Sequence, residues 1–238
     1  MKLQKNIIIL SLILMFLSTL GVFFLDTKMR LYDISVGIFT GVVLTFLTTI
    51  ILYNYEKKKL LNRIYSNFSE IYFVLCFICQ KLNKFLDKKD ITDSEFSLNY
   101  KLATEISGTL RDLVNVEYTS FFDFKLNNQM KNFIKYTAKL YNLKNIIETR
   151  NVDILNFEIA VKENILSGQL NDKKNQLLIV YREELLIAIG RLHEYSCSLK
   201  IELDEIMTDF CNICKFSNKW QDKKNDFEKE VEAKKNDL

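Results

Sequence analysis

Residues 7–25 read IIILSLILMFLSTLGVFFL and residues 34–53 read ISVGIFTGVVLTFLTTIILY, and neither stretch contains an Asp, Glu, Lys or Arg. Each is about as long as a helix must be to cross a hydrocarbon core of roughly 30 Å at 1.5 Å per residue. A buried helix of a soluble protein usually keeps some polar face, and the first run has almost none. The pair predicts a transmembrane hairpin over residues 1–55, with spans at about 7–25 and 34–53.

A cleaved signal peptide would also begin with lysines followed by an apolar run. Cleavage requires small residues at the end of that run. Here the end reads Val22-Phe23-Phe24-Leu25-Asp26, and no lipobox cysteine follows it, so the first run is expected to remain as an anchor. Lys2 and Lys5 precede the first span, and Lys57, Lys58, Lys59 and Arg63 follow the second. The connector from Asp26 to Asp33 carries only Lys28 and Arg30 beside its two aspartates. This bias predicts a multi-pass cell-membrane protein with both termini in the cytoplasm. The Lys57–Arg63 cluster also comes to lie at the anionic headgroups of the bilayer.

The second span has one distinctive face. At 100° per residue, Gly37, Gly41, Thr45 and Thr48 fall within about 80° of one another, while Phe39, Val43, Phe46, Ile50 and Tyr53 lie opposite and are expected to meet acyl chains. Small residues at this spacing let two helix backbones approach closely in lipid, where packing rather than hydrophobicity drives association. The stripe can serve the first span of the same chain or a second copy of the chain. Neither span contains an ionisable residue, which argues against a carrier or proton relay built from one chain.

The rest of the sequence is helical in character. The chain has no proline and six glycines in 238 residues. A globular chain of this length would carry roughly a dozen prolines, and sheet proteins depend on both residues for their turns. The expected fold is an all-α membrane protein in which the hairpin is followed by a cytoplasmic helical bundle over residues 56–218 and a charged tail over 219–238. Nothing after Gly41 breaks the second helix before about Leu86. Its run Ile71–Cys79 is too short to span a bilayer and reads as a buried helix of the bundle. Asp87–Asp93 reads as a loop, and Thr92-Asp93-Ser94-Glu95 has capping-box spacing that opens a helix or helix pair to about Val116. Two further helices are expected, at about Asn127–Thr149 and Val152–Leu166. The first buries Met130, Phe133, Ile134, Thr137, Leu140 and Tyr141. Ser167-Gly168 closes the second, and Asn171-Asp172 opens the last helix.

In that last helix Leu178, Leu185, Leu192, Leu199, Ile206 and Ile213 recur every seven residues. The companion stripe of Tyr181, Ala188 and Tyr195 shifts by one position to Leu203 and Phe210. A coiled coil with one partner would keep it fixed. The slip favours the core of an intramolecular bundle over an intermolecular coiled coil.

The sequence offers little chemistry. Cys76, Cys79, Cys211 and Cys214 form two Cys-x-x-Cys pairs, the spacing of a four-thiolate zinc site. Cys76 and Cys79 lie among Phe73, Val74, Phe77 and Ile78, without the glycine-rich turns of a zinc knuckle. Buried thiols without metal are therefore expected, and no cofactor. His193 is the sole histidine, flanked by Arg191 and Glu194, and reads as a partly exposed surface residue. The Arg-x(4–6)-His motif of helical HEPN ribonucleases fails, because Arg182 is too far from it and Arg191 too close. Clustered glycines for phosphate occur only as Gly37 and Gly41 in a span. The net charge of +3 gives no reason to expect nucleic acid as a partner. No catalytic residue is assigned, and an enzyme is not expected.

This layout, a short hairpin followed by helices, resembles the two-transmembrane effectors of bacterial anti-phage systems of the kind called SLATT. The resemblance covers the layout of the whole chain and no diagnostic motif. Here the first span begins close to Met1, whereas that group often has a helix ahead of it. It implies an effector that perturbs the bilayer when triggered; with the small-residue stripe and the lack of catalytic motifs, the expected function is a non-enzymatic, self-associating membrane effector or sensor. The alternative is a constitutive scaffold that docks a cytoplasmic protein at the membrane.

Overall fold

The computed structural model describes residues 1–24, 30–88, 121–166 and 172–236. All elements among them are helices: α1 (Lys2–Phe24), α2 (Arg30–Lys88), α3 (Phe124–Leu166), α4 (Asp172–Cys214) and α5 (Ser217–Asn236). The connector lysine Lys28, the capping box at Thr92 and the helix expected to Val116 lie outside the described residues. The chain divides into two compact units, one of Met1–Ile64 with Glu117–Met130 and one of Tyr65–Val116 with Lys131–Leu238.

In the first unit α1 and the start of α2 form an antiparallel hairpin. The Met1 ammonium lies 3.4 Å from the Glu56 carboxylate. The residues turned inward on α1 are Gln4, Ile8, Ser11, Met15, Ser18 and Val22. On α2 they are Ser35, Phe39, Val42, Phe46, Thr49 and Tyr53. Both sets alternate steps of four and three residues, the 3.5-residue period of two helices that pack along a slightly crossed seam. Ser11 and Ser18 supply the small side chains of this seam. Ser18 Oγ and Thr19 Oγ1 donate to the Met15 carbonyl at 3.0 and 2.7 Å, and Thr49 Oγ1 donates to the Thr45 carbonyl at 2.7 Å. Each hydroxyl is thus satisfied by its own helix and costs little in an apolar setting.

The segment before α3 clasps the open end of the hairpin. Lys5 Nζ donates to the Phe121 carbonyl at 3.2 Å, and the Phe122 amide donates to the Tyr53 hydroxyl at 3.1 Å. Asn127 brackets the buried Phe121. Its Nδ2 donates to the Phe121 carbonyl and its Oδ1 accepts from the Phe121 amide, at 2.8 and 3.2 Å. Asp123 is the N-cap of α3, because its Oδ1 accepts from the amides of Lys125 and Leu126 at 2.9 and 3.3 Å.

The second unit is a helical bundle. The second half of α2 buries Phe68, Ile71, Leu75, Ile78, Leu82 and Phe85, one residue per turn along a single face. α3 buries Phe133, Leu140, Ile147 and Ile154 at seven-residue spacing, flanked by Tyr136, Leu143 and Phe157. The rings interlock: Phe68 lies 4.1 Å from Phe133, and Phe133 lies 5.2 Å from Phe210, edge to face. Tyr136 is fully buried, and its hydroxyl donates to the Leu199 carbonyl at 2.8 Å.

Three expectations are corrected. Residues 127–166 form one helix rather than two. With no Gly or Pro near Asn151 nothing interrupts it, and an Arg150–Asp153 ion pair of 2.7 Å spans the expected break. Tyr141 is exposed and Tyr136 is buried in its place. On α4 the companion stripe does not slip: Ile189, Ser196, Leu203 and Phe210 are buried at constant seven-residue spacing beside Leu185, Leu192 and Leu199. Ser196 hid the pattern. Its hydroxyl donates to the Leu192 carbonyl at 2.8 Å, so a polar residue fills a core position without an unpaired group.

The segment expected as a charged tail is docked at Trp220, which is buried. α4 ends with Lys215 at φ 61°, in the left-handed region. The Phe216 amide donates to the Cys211 carbonyl at 2.7 Å, closing the helix as a Schellman turn. The chain then reverses into α5. Trp220 is 3% exposed, packed edge-on to Tyr65 and Tyr72, and its Nε1 donates to Asp204 Oδ1 at 3.2 Å.

Candidate functional site

Two surfaces carry the residues that the sequence singles out. The first is the outside of the hairpin. α1 and the start of α2 are both long and apolar enough to cross a membrane. Only 17% and 6% of their most apolar windows are buried, the reverse of a soluble core helix. Large apolar side chains point outward from Leu3 to Phe24 and again from Leu31 to Tyr55. From Glu56 to the end of α2 the one outward-facing large apolar residue is Phe77. The change falls at Tyr55, Phe122 and Phe124, three outward-facing aromatics in this unit. Aromatic residues at such a boundary, followed at once by lysines, are the pattern of a membrane–water interface. Lys58, Lys59 and Arg63 are exposed there, and Lys57 is half-buried.

Gly37, Gly41, Thr45 and Thr48 all face outward. A Cβ added at Gly37 or Gly41 would meet nothing within 4 Å. In this structure the stripe takes no part in the packing of the hairpin. Val43, Phe46 and Ile50, expected to face acyl chains, are half-buried in the hairpin instead. The cause is the placement of the small residues. Ser11 and Ser18 on α1 already let α2 approach with its large side chains, so α2 has no need of its glycines there. The Thr45 hydroxyl donates to the Gly41 carbonyl at 2.9 Å, which leaves an apolar outer face.

The second surface lies in the bundle. Cys79 is buried on α2 and lies beside Cys197 of α4. Cys211 neighbours Tyr65 instead. Fourteen residues separate Cys197 from Cys211 on α4, about 21 Å of helix. The Cys76–Cys79 pair is therefore not brought to the Cys211–Cys214 pair. Among the described residues no three His, Cys, Asp or Glu side chains are grouped so as to hold a metal ion. Burial pushes the Cys76 and Cys79 thiols above the ordinary range, and the Cys211 thiol up to about 12. These are neutral, weakly nucleophilic sulfurs. His193 is half-buried and meets Cys197, its neighbour one turn on, at 3.5 Å rather than a carboxylate.

Beside Cys76 and Cys79 is a groove of about 380 Å³ between α2, α4 and α5. Tyr72 and the two cysteines line it from α2, with Gln80 and Asn83 further along the same helix. Lys200 lines it from α4, and Lys224, Phe227 and Glu228 from α5. Phe227 stacks on Phe73 at 4.6 Å. Lys224 is held by Asp204 at 3.0 Å and lies over the Trp220 ring at 5.5 Å. Lys223 is turned away, donating to Ser69 Oγ at 2.7 Å over the Tyr65 and Phe73 rings. Sequence reasoning missed this groove because its outer wall is the segment that reads as a charged tail. The sole tryptophan of the chain, set among lysines, is the one signal that this segment docks. Comparison with protein-family models, with curated proteins and with solved structures finds no match.

Proposed function

We propose that this chain is a non-enzymatic membrane effector or sensor. Its hairpin spans the bilayer with both termini in the cytoplasm, and self-associates through the Gly37–Gly41–Thr45–Thr48 face. One observation carries the reading: the hairpin closes on the opposite side of α2, which leaves the small-residue face outward with open space at both glycines. Lipid gives no hydrophobic drive for helices to associate, so close backbone approach supplies the contact. α2 is one helix from Arg30 to Lys88 and contributes residues to both units. This reading agrees with the resemblance to anti-phage effectors.

The test is cross-linking in native membranes. Gly41→Leu holds a neighbouring helix away and is expected to remove the dimer or higher ladder. Leu47→Phe adds bulk on an outward flank away from the stripe and is expected to leave the ladder intact. An unchanged ladder in both variants would rule out the stripe as an oligomer contact. Equal loss in both would place the contact elsewhere on the helix. Depolarisation on inducible expression, read with a potential-sensitive dye, separates an effector from a silent anchor.

A second reading, a scaffold that docks a cytoplasmic protein, is favoured by the apolar side chains that α3 and α4 leave exposed. These are Val152, Leu155 and Ile159 on α3, and Leu177, Ile179, Val180 and Ile187 on α4. It predicts a stoichiometric partner in a gentle detergent pull-down that is lost with Leu155→Lys and Val180→Lys.

A further inference from the structure

The groove between α2, α4 and α5 holds a half-buried amine that the fold itself does not use. Most partly buried lysines of this unit are spoken for. Lys144 pairs with Glu148 at 3.2 Å, Lys224 pairs with Asp204, and Lys223 donates to Ser69. Lys200 is half-buried in the groove wall and makes no ion pair or hydrogen bond among the described residues. Its neighbours across the groove are the neutral Cys76 and Cys79 thiols, and the Asp204 carboxylate one turn on is already engaged by Lys224 and the Trp220 indole. Glu228 also lines the groove, but it is exposed on α5, where water screens its charge. A half-buried ammonium without a partner gains most from an anion that brings its own hydrogen-bond acceptors.

The remaining walls fix the rest of the ligand. Tyr72 and Phe227 present aromatic surface from opposite helices, and the two sulfurs add a soft apolar lining. The volume lies toward the small end of ligand pockets, which run from roughly 300 to 1,000 Å³. We infer that this groove is a binding site for a small organic anion, a carboxylate or phosphate carried on a flat aromatic body, with Lys200 as the anion contact and Tyr72 and Phe227 as the ring contacts. Because α5 forms the outer wall, occupancy holds α5 against α2 and α4. The site stands apart from the hairpin: binding here survives if the Gly41 cross-linking test fails, and the reverse also holds.

Cys76 reports on the site, because it is half-buried and lines the groove. The experiment follows alkylation of each cysteine by iodoacetamide in the detergent-solubilised full chain, read by peptide mass spectrometry. Phenyl phosphate and benzoate are the probes, and benzyl alcohol is the uncharged control. The expected result is saturable slowing at Cys76 by one or both anions, none with benzyl alcohol, and no change at Cys214, outside the groove. Lys200→Met should weaken protection about tenfold to a hundredfold, the loss of one charge-assisted hydrogen bond. Phe227→Ala should weaken it while leaving its dependence on charge. Lys200→Arg should retain it, which guards against a folding defect. Absence of saturable protection by either anion would overturn the proposal. So would equal protection by benzyl alcohol, equal slowing at Cys214, or undiminished protection in Lys200→Met.

Discussion

Replacing Trp220 with alanine is expected to release α5 from the bundle while the rest of the fold stays intact. Trp220 is 3% exposed, and truncating a buried tryptophan to alanine costs about 3–5 kcal/mol. Against this stand the other attachments of α5. The Phe227 ring on Phe73 contributes about 0.5–1.5 kcal/mol. The Lys224–Asp204 pair is partly exposed and contributes about 1 kcal/mol or less. The Lys223–Ser69 hydrogen bond adds about 1 kcal/mol. The indole also supports two of these contacts, since it donates to Asp204 and underlies the Lys224 ammonium. Its removal therefore equals or exceeds the described attachments that are left. The penalty is bounded by the docking energy of α5, so the bundle core around Phe68, Phe133 and Phe210 should keep its stability. Hydrogen exchange on the full chain in detergent tests this directly. In Trp220→Ala the amides of 217–229 should exchange rapidly while those around Tyr136 and Leu199 remain protected. Trp220→Phe keeps a ring, loses one hydrogen bond of about 1 kcal/mol and should leave α5 docked. Wild-type protection of 217–229 in Trp220→Ala would refute the reasoning.

Two further substitutions test the bundle. Tyr136→Phe removes the donor to the Leu199 carbonyl and should lower unfolding free energy by about 1 kcal/mol, against about 3–5 kcal/mol for Tyr136→Ala; denaturant unfolding in detergent measures both, and equal losses would mean that the hydroxyl, not ring packing, dominates. Lys215→Gly relieves the left-handed backbone at the end of α4 and should raise stability by about 0.5–1 kcal/mol, while Lys215→Val should lower it; a thermal midpoint that falls with glycine would contradict the Schellman turn.

How far the sequence could be read depended on whether one residue type decided a position. The charge-free runs at 7–25 and 34–53 point to two long apolar helices without further context, and the absence of helix breakers after Gly41 anticipates α2 as a single helix to Lys88. α3 ends at Leu166 and α4 begins at Asp172, while Ser167 and Gly168, expected to close the helix, lie outside the described residues. Where a position was settled by tertiary contact, local pattern failed. Tyr136 and Tyr141 have equal claims by spacing, and packing of the ring against Phe68 together with the Leu199 carbonyl makes the first the buried one. Ser196 lies in the core because its own helix satisfies the hydroxyl, which no hydropathy count can register. The Gly37–Gly41 stripe was visible, but its direction depended on Ser11 and Ser18 of another helix. Lys200 acquires significance only when α5 closes the groove, and that depends on one tryptophan.

The central claim is that the hairpin crosses the bilayer and returns, with the bundle on the cytoplasmic side. Reporter fusions test it most directly. Alkaline phosphatase, active only outside the cytoplasm, and GFP, fluorescent only within it, are each joined after residue 30 and at the C-terminus. The lysine and arginine bias around the spans predicts active phosphatase and dark GFP at residue 30, with inactive phosphatase and fluorescent GFP at the C-terminus. Active phosphatase at the C-terminus, or fluorescent GFP at residue 30, would contradict it.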